Sequence, residues 1–292
     1  MTNPTLIALP APQILEITGV DAIAFAQAQF SSNVAGLANG HWQWSAWLSA
    51  QGRVRAFFHL LRDHDEQLRL ILRGGSATRL AIDLSRYVFR SKVRLRAIDD
   101  QRAYVARDPS TIDVFRDAPA GQGIASVSNA SCIALPGTTP RWLLLSRDER
   151  TDADASASAQ NENARADIDA GVITLDPALE DRLLPTWIGL DTLGAISTSK
   201  GCYPGQEIVA RLYFKGGNKR WLYRITFPAA NLPEPGASLG ENGEETGLIV
   251  CSAWADPNMA IALAVAGENS AKIESNTPSQ SIPVRTIERV QI

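Results

Sequence analysis

Cysteine is scarce in this chain: Cys132, Cys202 and Cys251 are the only three among 292 residues. Scattered and odd in number, they argue against a disulfide framework and fit a reducing compartment. They also fall short of the about four thiolates that an iron–sulfur cluster normally takes. Histidine is no more abundant, and His41, His59 and His64 lack metal-site spacing, so no metal site is expected in the chain itself. No apolar run is long enough to span a bilayer, because charged or polar residues interrupt each candidate. Met1 to Pro12 carries no basic region and too short an apolar stretch for a signal peptide. A cytoplasmic protein with no membrane partner is the expectation. There is no P-loop and no dinucleotide glycine fingerprint.

An excess of either charge is missing too. The net charge is −3, but it hides an uneven distribution. Acidic residues are diluted through Asp99 to Asp117 and Asp148 to Asp181, while bases crowd into Arg86 to Arg96 and Arg211 to Arg224. A near-neutral total therefore leaves room for an anionic ligand. The first basic run alternates charge with apolar residues, as a strand with one solvated face does; a site for a ligand carboxylate or RNA is the alternative. The second interleaves bases with Tyr213, Phe214 and Trp221, a mix that stacks bases and holds phosphates.

What is present is a mixture of periodicities. Leu15–Thr18 alternates at period two, and Asp21 is placed to cap a helix running to Phe30. Strands are expected at Trp42–Leu48, Arg53–Leu61, Gln67–Leu72, Lys92–Ile98, Ala103–Arg107, Cys132–Leu135 and Trp142–Ser146, with Gln51-Gly52 as a turn. Ala77 to Tyr87 reads as a helix after the Gly74-Gly75-Ser76 break. Strands with helices inserted irregularly between them point to an α+β fold. Thr151 to Asn163, rich in Ala, Ser, Asp and Asn, reads as an exposed segment, with a weak surface helix as the alternative. After Lys219, short strands at Trp221–Phe227, Gly247–Ala253, Met259–Ala266 and Ile282–Arg285 alternate with Pro- and Gly-rich turns, a pattern for a small β-barrel. The expected division is 1–218 and 219–292.

One segment concentrates chemistry: Lys200-Gly201-Cys202-Tyr203-Pro204-Gly205-Gln206-Glu207. Its glycines permit positive φ or close backbone approach. Pro204 suits the first turn of a helix over Gly205–Arg211, which would set Cys202 near a helix N-terminus with Lys200 two residues away. Both effects favour thiolate over thiol. A reactive or ligand-touching cysteine is one reading; a buried structural cysteine in a glycine-rich connection is the other.

This segment resembles the signature of the YgfZ branch of the folate-binding, glycine-cleavage T-protein-like family. The resemblance extends through Leu193-Gly194-Ala195-Ile196-Ser197 before it and through Val209-Ala210-Arg211 and Gly217-Asn218-Lys219-Arg220 after it. Ile17-Thr18-Gly19-Val20-Asp21, Gln51-Gly52-Arg53 and Tyr87 to Val93 resemble other family stretches. It implies two interlocked N-terminal α+β units, a C-terminal β-barrel, and a central channel holding tetrahydrofolate or a related folate. It also implies a supporting role for iron–sulfur enzymes, including tRNA-thiolating ones, with tRNA an indirect partner. The implied functional residues are Cys202 and Lys200, and the expected folate contacts are these two with Gly201, Tyr203, Gly205, Gln206, Glu207, Arg211 and Asp169. Asp169, in Ile168-Asp169-Ala170-Gly171, would accept from the amino-pyrimidine edge of a pterin; an exposed strand-end Asp is the alternative.

The chain departs from its transferase relatives at Gly74 to Arg79, where an early-helix carboxylate is expected and none occurs before Asp83. A general acid or base must reach the atom it serves, so aminomethyl transfer is disfavoured, and whether any reaction is catalysed stays open. Pro12-Gln13-Ile14 and Asn163-Ala164-Arg165 lack the tryptophans of some relatives; Trp42, Trp44, Trp47 and Trp187 are candidate substitutes, with core packing as the alternative.

Overall fold

The computed structural model describes residues 6–108, 121–241, 244–267, 274–277, 280–283 and 286–290. The fold is α+β, with three antiparallel sheets meeting around a shared interior. After a short strand, β1 (Leu6–Ala8), the chain builds a five-stranded sheet from β2 (Ile14–Thr18), β3 (His41–Leu48), β4 (Val54–His64), β5 (Gln67–Leu72) and β6 (Arg94–Ile98), in the order β3-β4-β5-β2-β6. Period-two alternation gives this sheet two different faces. On β4, Ala56, Phe58 and Leu60 pack under two helices, α1 (Ala22–Gln29) and α2 (Ala77–Ser85), while Phe57 and Leu61 join the central core.

A second sheet, β1-β7-β10-β9-β8, comprises β1 with β7 (Arg102–Ala106), β8 (Ile124–Val127), β9 (Ala130–Leu135) and β10 (Arg141–Ser146). Its Ala103, Ile133, Leu143 and Leu145 face the same central core. Helix α3 (Ala157–Asp169) crosses next, and the chain then makes 3₁₀ turns at Pro177–Leu179 and Pro185–Ile188 before helix α4 (Gln206–Lys215). The third sheet has seven strands: β11 (Arg220–Pro228), β12 (Ser238–Glu241), β13 (Glu244–Asp256), β14 (Met259–Gly267), β15 (Glu274–Thr277), β16 (Gln280–Pro283) and β17 (Thr286–Arg289). It curls so that β16 returns beside β11. Leu222, Leu248, Val250, Ile261, Leu263 and Val265 turn toward the central core, and Ile225, Phe227, Ile249 and Ala262 pack on the other side.

Several local expectations change. Thr151 to Asn163 is not a simple connection: the helix offered as the alternative is present from Ala157, and Ser156 caps it by accepting from the Ala159 amide. Its inward stripe is Ala159, Asn163 and Asp167, four residues apart and mostly polar, so apolar periodicity does not betray it. The helix is clamped to β13 by Asn161, which donates to the Trp254 carbonyl and accepts from the Trp254 amide, and by Arg165, which donates to the Ala255 carbonyl. Asp169 therefore ends a helix rather than a strand. Asp21 stands at the start of α1 but does not cap it with its side chain; its carboxylate accepts from the Lys92 amide instead. Of the first basic run, the strand is Arg94–Ile98, with Arg94 and Arg96 exposed on its outer face. Gly205, not Pro204, precedes the first turn of α4. Part of the strand expected at Ile282–Arg285 lies outside the described residues.

Candidate functional site

The three sheets leave a cavity of about 400 Å³ between them, within the usual range for small-molecule sites, ~300–1,000 Å³. One wall is the Leu9–Gln13 link, with Pro10 and Pro12; the others come from β4, β5, α3 and β13. The walls are mostly apolar; Arg73, Asp167 and Thr174 form a linked polar cluster on them, and His59, Asn163, Gln13, Gln160 and Ser252 also border the space.

Arg73 follows β5. Its amide donates to the Phe57 carbonyl, which keeps it in register with β4, and its carbonyl accepts from the Leu175 amide at 2.7 Å. That second bond requires Gly74, which has φ +99°; a Cβ there would stand 2.2 Å from the Leu175 oxygen. The glycine thus allows the 172–175 stretch to dock against the end of β5, which brings Thr174 to the Arg73 guanidinium.

Asp167 lies between two guanidiniums. Its Oδ2 accepts from Arg73 at 2.8 Å and its Oδ1 from Arg141 at 2.9 Å. Arg141 is buried and also donates to the Asn163 side chain and the Pro136 carbonyl. Two cations share one carboxylate, and Asp167 is the only acidic side chain among the described residues lining the cavity. The network therefore carries one positive charge beyond neutrality. Such a buried cluster is stable only when well hydrogen-bonded, and it favours a ligand offering acceptors.

His59 sits opposite Ile71 in the β4–β5 register, on the cavity face, and is 1% exposed. Neither ring nitrogen has a hydrogen-bond partner of regular geometry among the described residues. Burial holds its pKa well below the ordinary histidine value, the Arg73 charge lowers it further, and a smaller backbone effect from Ile71 opposes them. The imidazole is thus neutral near pH 7. It lies 3.9 Å from the Trp44 ring, which in turn stacks on Phe57. Cys251 reaches the cavity from β13, just past a register shift, and burial pushes its thiol up to about 11.

The Lys200–Glu207 segment lies elsewhere and does not line this cavity. The Lys200 ammonium donates to the main-chain carbonyls of Gln27, Phe30 and Ser32 at the end of α1, and sits 4.9 Å from the centre of the Tyr203 ring. Burial pushes it down to about 8, while the three carbonyls stabilise the charged form. Lys200 is therefore a structural tie between this segment and α1. Tyr203 is buried, which raises its phenol to about 12. Gly205, at φ +77°, lies against the Ser49–Gly52 turn, where a Cβ would stand 2.5 Å from the Ser49 oxygen. Gln206 is half-buried, while Gly201, Cys202, Glu207 and Arg211 are exposed. The segment is thus a rigid platform that presents Cys202 to solvent. Tyr213 and Phe214, on the same helix as Arg211, are exposed as well. Asp169 points away from the cavity and pairs with Arg224, which also binds Glu288.

Asp83 does not take the place of the missing early-helix carboxylate: it is buried outside the cavity and paired with Arg79 and Arg86. Nor do the four tryptophans line the cavity. Trp42, Trp44 and Trp47 are core residues, and Trp187 lies half-buried between Arg53 and Arg220. His59, Arg73, Arg141, Asn163 and Asp167 come to notice only in three dimensions, although a lone imidazole inside the apolar run Phe57-Phe58-His59-Leu60-Leu61 is a signal the sequence does carry.

No protein-family model matches the sequence. Among solved structures, the chain is similar to the glycine cleavage system aminomethyltransferase T from Bartonella henselae. The likeness is one of fold. It covers 96% of this chain and 83% of that one with a TM-score of 0.73, at 12% sequence identity. No helix among the described residues is long and apolar enough to cross a membrane.

Proposed function

We propose that the chain is a folate-binding accessory protein that supports the assembly or repair of iron–sulfur enzymes, including tRNA-thiolating ones. The observation that carries the folate part is the central cavity: a mostly apolar slot that holds a hydrogen-bonded Arg73–Asp167 cluster and His59 on its walls, in a fold like that of an aminomethyltransferase. A reduced folate is amphipathic, with a planar pyrimidine half whose edge carries donors and acceptors. Leu9, Pro10, Pro12, Ile71 and Val172 supply apolar walls for its ring, and Arg73 and His59 supply donors. The bound folate would bring one-carbon or redox chemistry; the residues here bind and orient it. Asp167, already shared by two guanidiniums, serves as a fixed anion rather than a proton shuttle.

The accessory part rests on the exposed Cys202 and on the lack of a free carboxylate where a transferase is expected to hold one. With Lys200 tied to α1, the thiol stands on a rigid turn that a client protein can reach. Returning the wild-type chain or its Cys202→Ala variant to a strain lacking this protein tests the role. Wild type is expected to restore the activity of iron–sulfur enzymes, and the variant to restore clearly less. Equal rescue would remove Cys202 from the account, and no rescue by wild type would overturn the accessory role.

A further inference from the structure

The cavity holds polar capacity that the described residues leave partly unused. The side chains of His59 and Arg73 lie on the same face of adjoining strands: His59 faces Ile71, and Arg73 continues that alternation and is held opposite Phe57 by its amide. Both border the same cavity. Arg73 commits one terminal nitrogen to Asp167 and Thr174, and its Nε makes only a 3.4 Å contact with the Ile173 carbonyl. The other terminal nitrogen donates to no described residue. Buried polar groups are normally paired, so an imidazole 1% exposed, bordering a cavity and without a hydrogen bond of regular geometry among the described residues, is available to a ligand.

We propose that His59 and Arg73 together read the lactam edge of a pterin-type heterocycle. An arginine only donates, so the group facing it must be an acceptor, such as a ring carbonyl oxygen. A neutral imidazole carries its donor and its acceptor on diverging ring nitrogens, so one of them, the acceptor, meets the N–H beside that carbonyl. The inference rests on the folate-binding reading and deepens it by specifying which edge of the ring is recognised. It predicts discrimination: a 4-amino ring turns a donor toward Arg73 in place of the 4-oxo acceptor, leaving donor against donor.

The test compares tetrahydrofolate with 4-amino-4-deoxytetrahydrofolate, titrated anaerobically by calorimetry into the full chain and into His59→Phe and His59→Gln. Wild type should bind the 4-oxo ligand at least about tenfold more tightly, the usual scale for a site left with an unpaired buried polar group. His59→Phe should weaken 4-oxo binding about tenfold and narrow the preference, and His59→Gln, which keeps a donor and an acceptor, should recover part of both. Equal wild-type affinity for the two ligands, or an unchanged preference in His59→Phe, overturns the edge assignment while the folate reading stands. Failure of wild type to bind either ligand overturns both. Since His59→Gln keeps the polar groups, loss of binding there with native circular dichroism and no residual preference also counts against the assignment.

Discussion

Replacing Asp167 with alanine would leave two guanidiniums facing each other without the carboxylate they share. The pairs it would break are short, 2.8 Å to Arg73 and 2.9 Å to Arg141, and side-chain exposure is 12% for Asp167, 16% for Arg73 and 3% for Arg141. Removing one partner of a buried pair costs about 3–5 kcal/mol. The lower end applies here, because Arg73 borders the cavity, where water can reach it, and Arg141 keeps Asn163 and the Pro136 carbonyl. About 3 kcal/mol corresponds to a drop in Tm of about 6 °C for a chain of this size. Differential scanning calorimetry measures it directly. Because the deficit is one of negative charge, added sulfate should return part of the loss in Asp167→Ala and have a smaller effect on wild type. A variant within about 2 °C of wild type would show that the Arg73–Asp167–Arg141 cluster is not a structural element, and the electrostatic description of the cavity would fall with it.

Two further outcomes follow from the titrating groups. The three cysteines should differ sharply toward a thiol reagent under native conditions: Cys202 is exposed, whereas burial raises Cys132 to about 12 and Cys251 to about 11. One equivalent should react quickly in wild type and none in Cys202→Ala; a fast second equivalent would contradict the placement of Cys132 or Cys251. His59 should make the fold sensitive to acid. Its folded pKa is lowered from 6.5, so below that value the unfolded chain takes a proton that the folded one refuses. Stability should therefore fall with pH by up to about 1.4 kcal/mol per unit below pH 6.5. Urea melts of wild type and His59→Phe between pH 7 and 5 should diverge by that slope, and parallel curves would show that His59 is not buried neutral.

The parts of this fold that could be read from the sequence are those whose apolar residues set the period. Ile14–Thr18 alternates because one face packs under α1 and α2, and Trp42–Leu48 and Gln67–Leu72 read as strands because both their faces are largely covered. Helix α3 is legible only as a weak alternative, because the face it buries includes Asn163 and Asp167, polar groups satisfied by Arg141 and Arg73, beside only Ala159 and Ile168. The cavity escaped for the same reason: its polar residues come from β4, the end of β5 and α3, more than 100 positions apart between His59 and Asp167, and no local pattern links them. The Lys200–Glu207 segment was conspicuous because its demands are local: a glycine at positive φ pressed on the Ser49–Gly52 turn, and a lysine reaching the end of α1. Those demands explain its composition without putting it in the cavity, which separates the cavity from the exposed thiol.

The central claim is that the cavity between the three sheets holds a reduced folate, and anaerobic calorimetric titration of tetrahydrofolate into the 292-residue chain tests it most directly. The account predicts a saturable isotherm with one ligand per chain, lost or strongly weakened in Asp167→Ala and retained in Cys202→Ala, since Cys202 lies outside the cavity. No detectable heat at high micromolar tetrahydrofolate, or binding that depends on Cys202 and ignores Asp167, would contradict it.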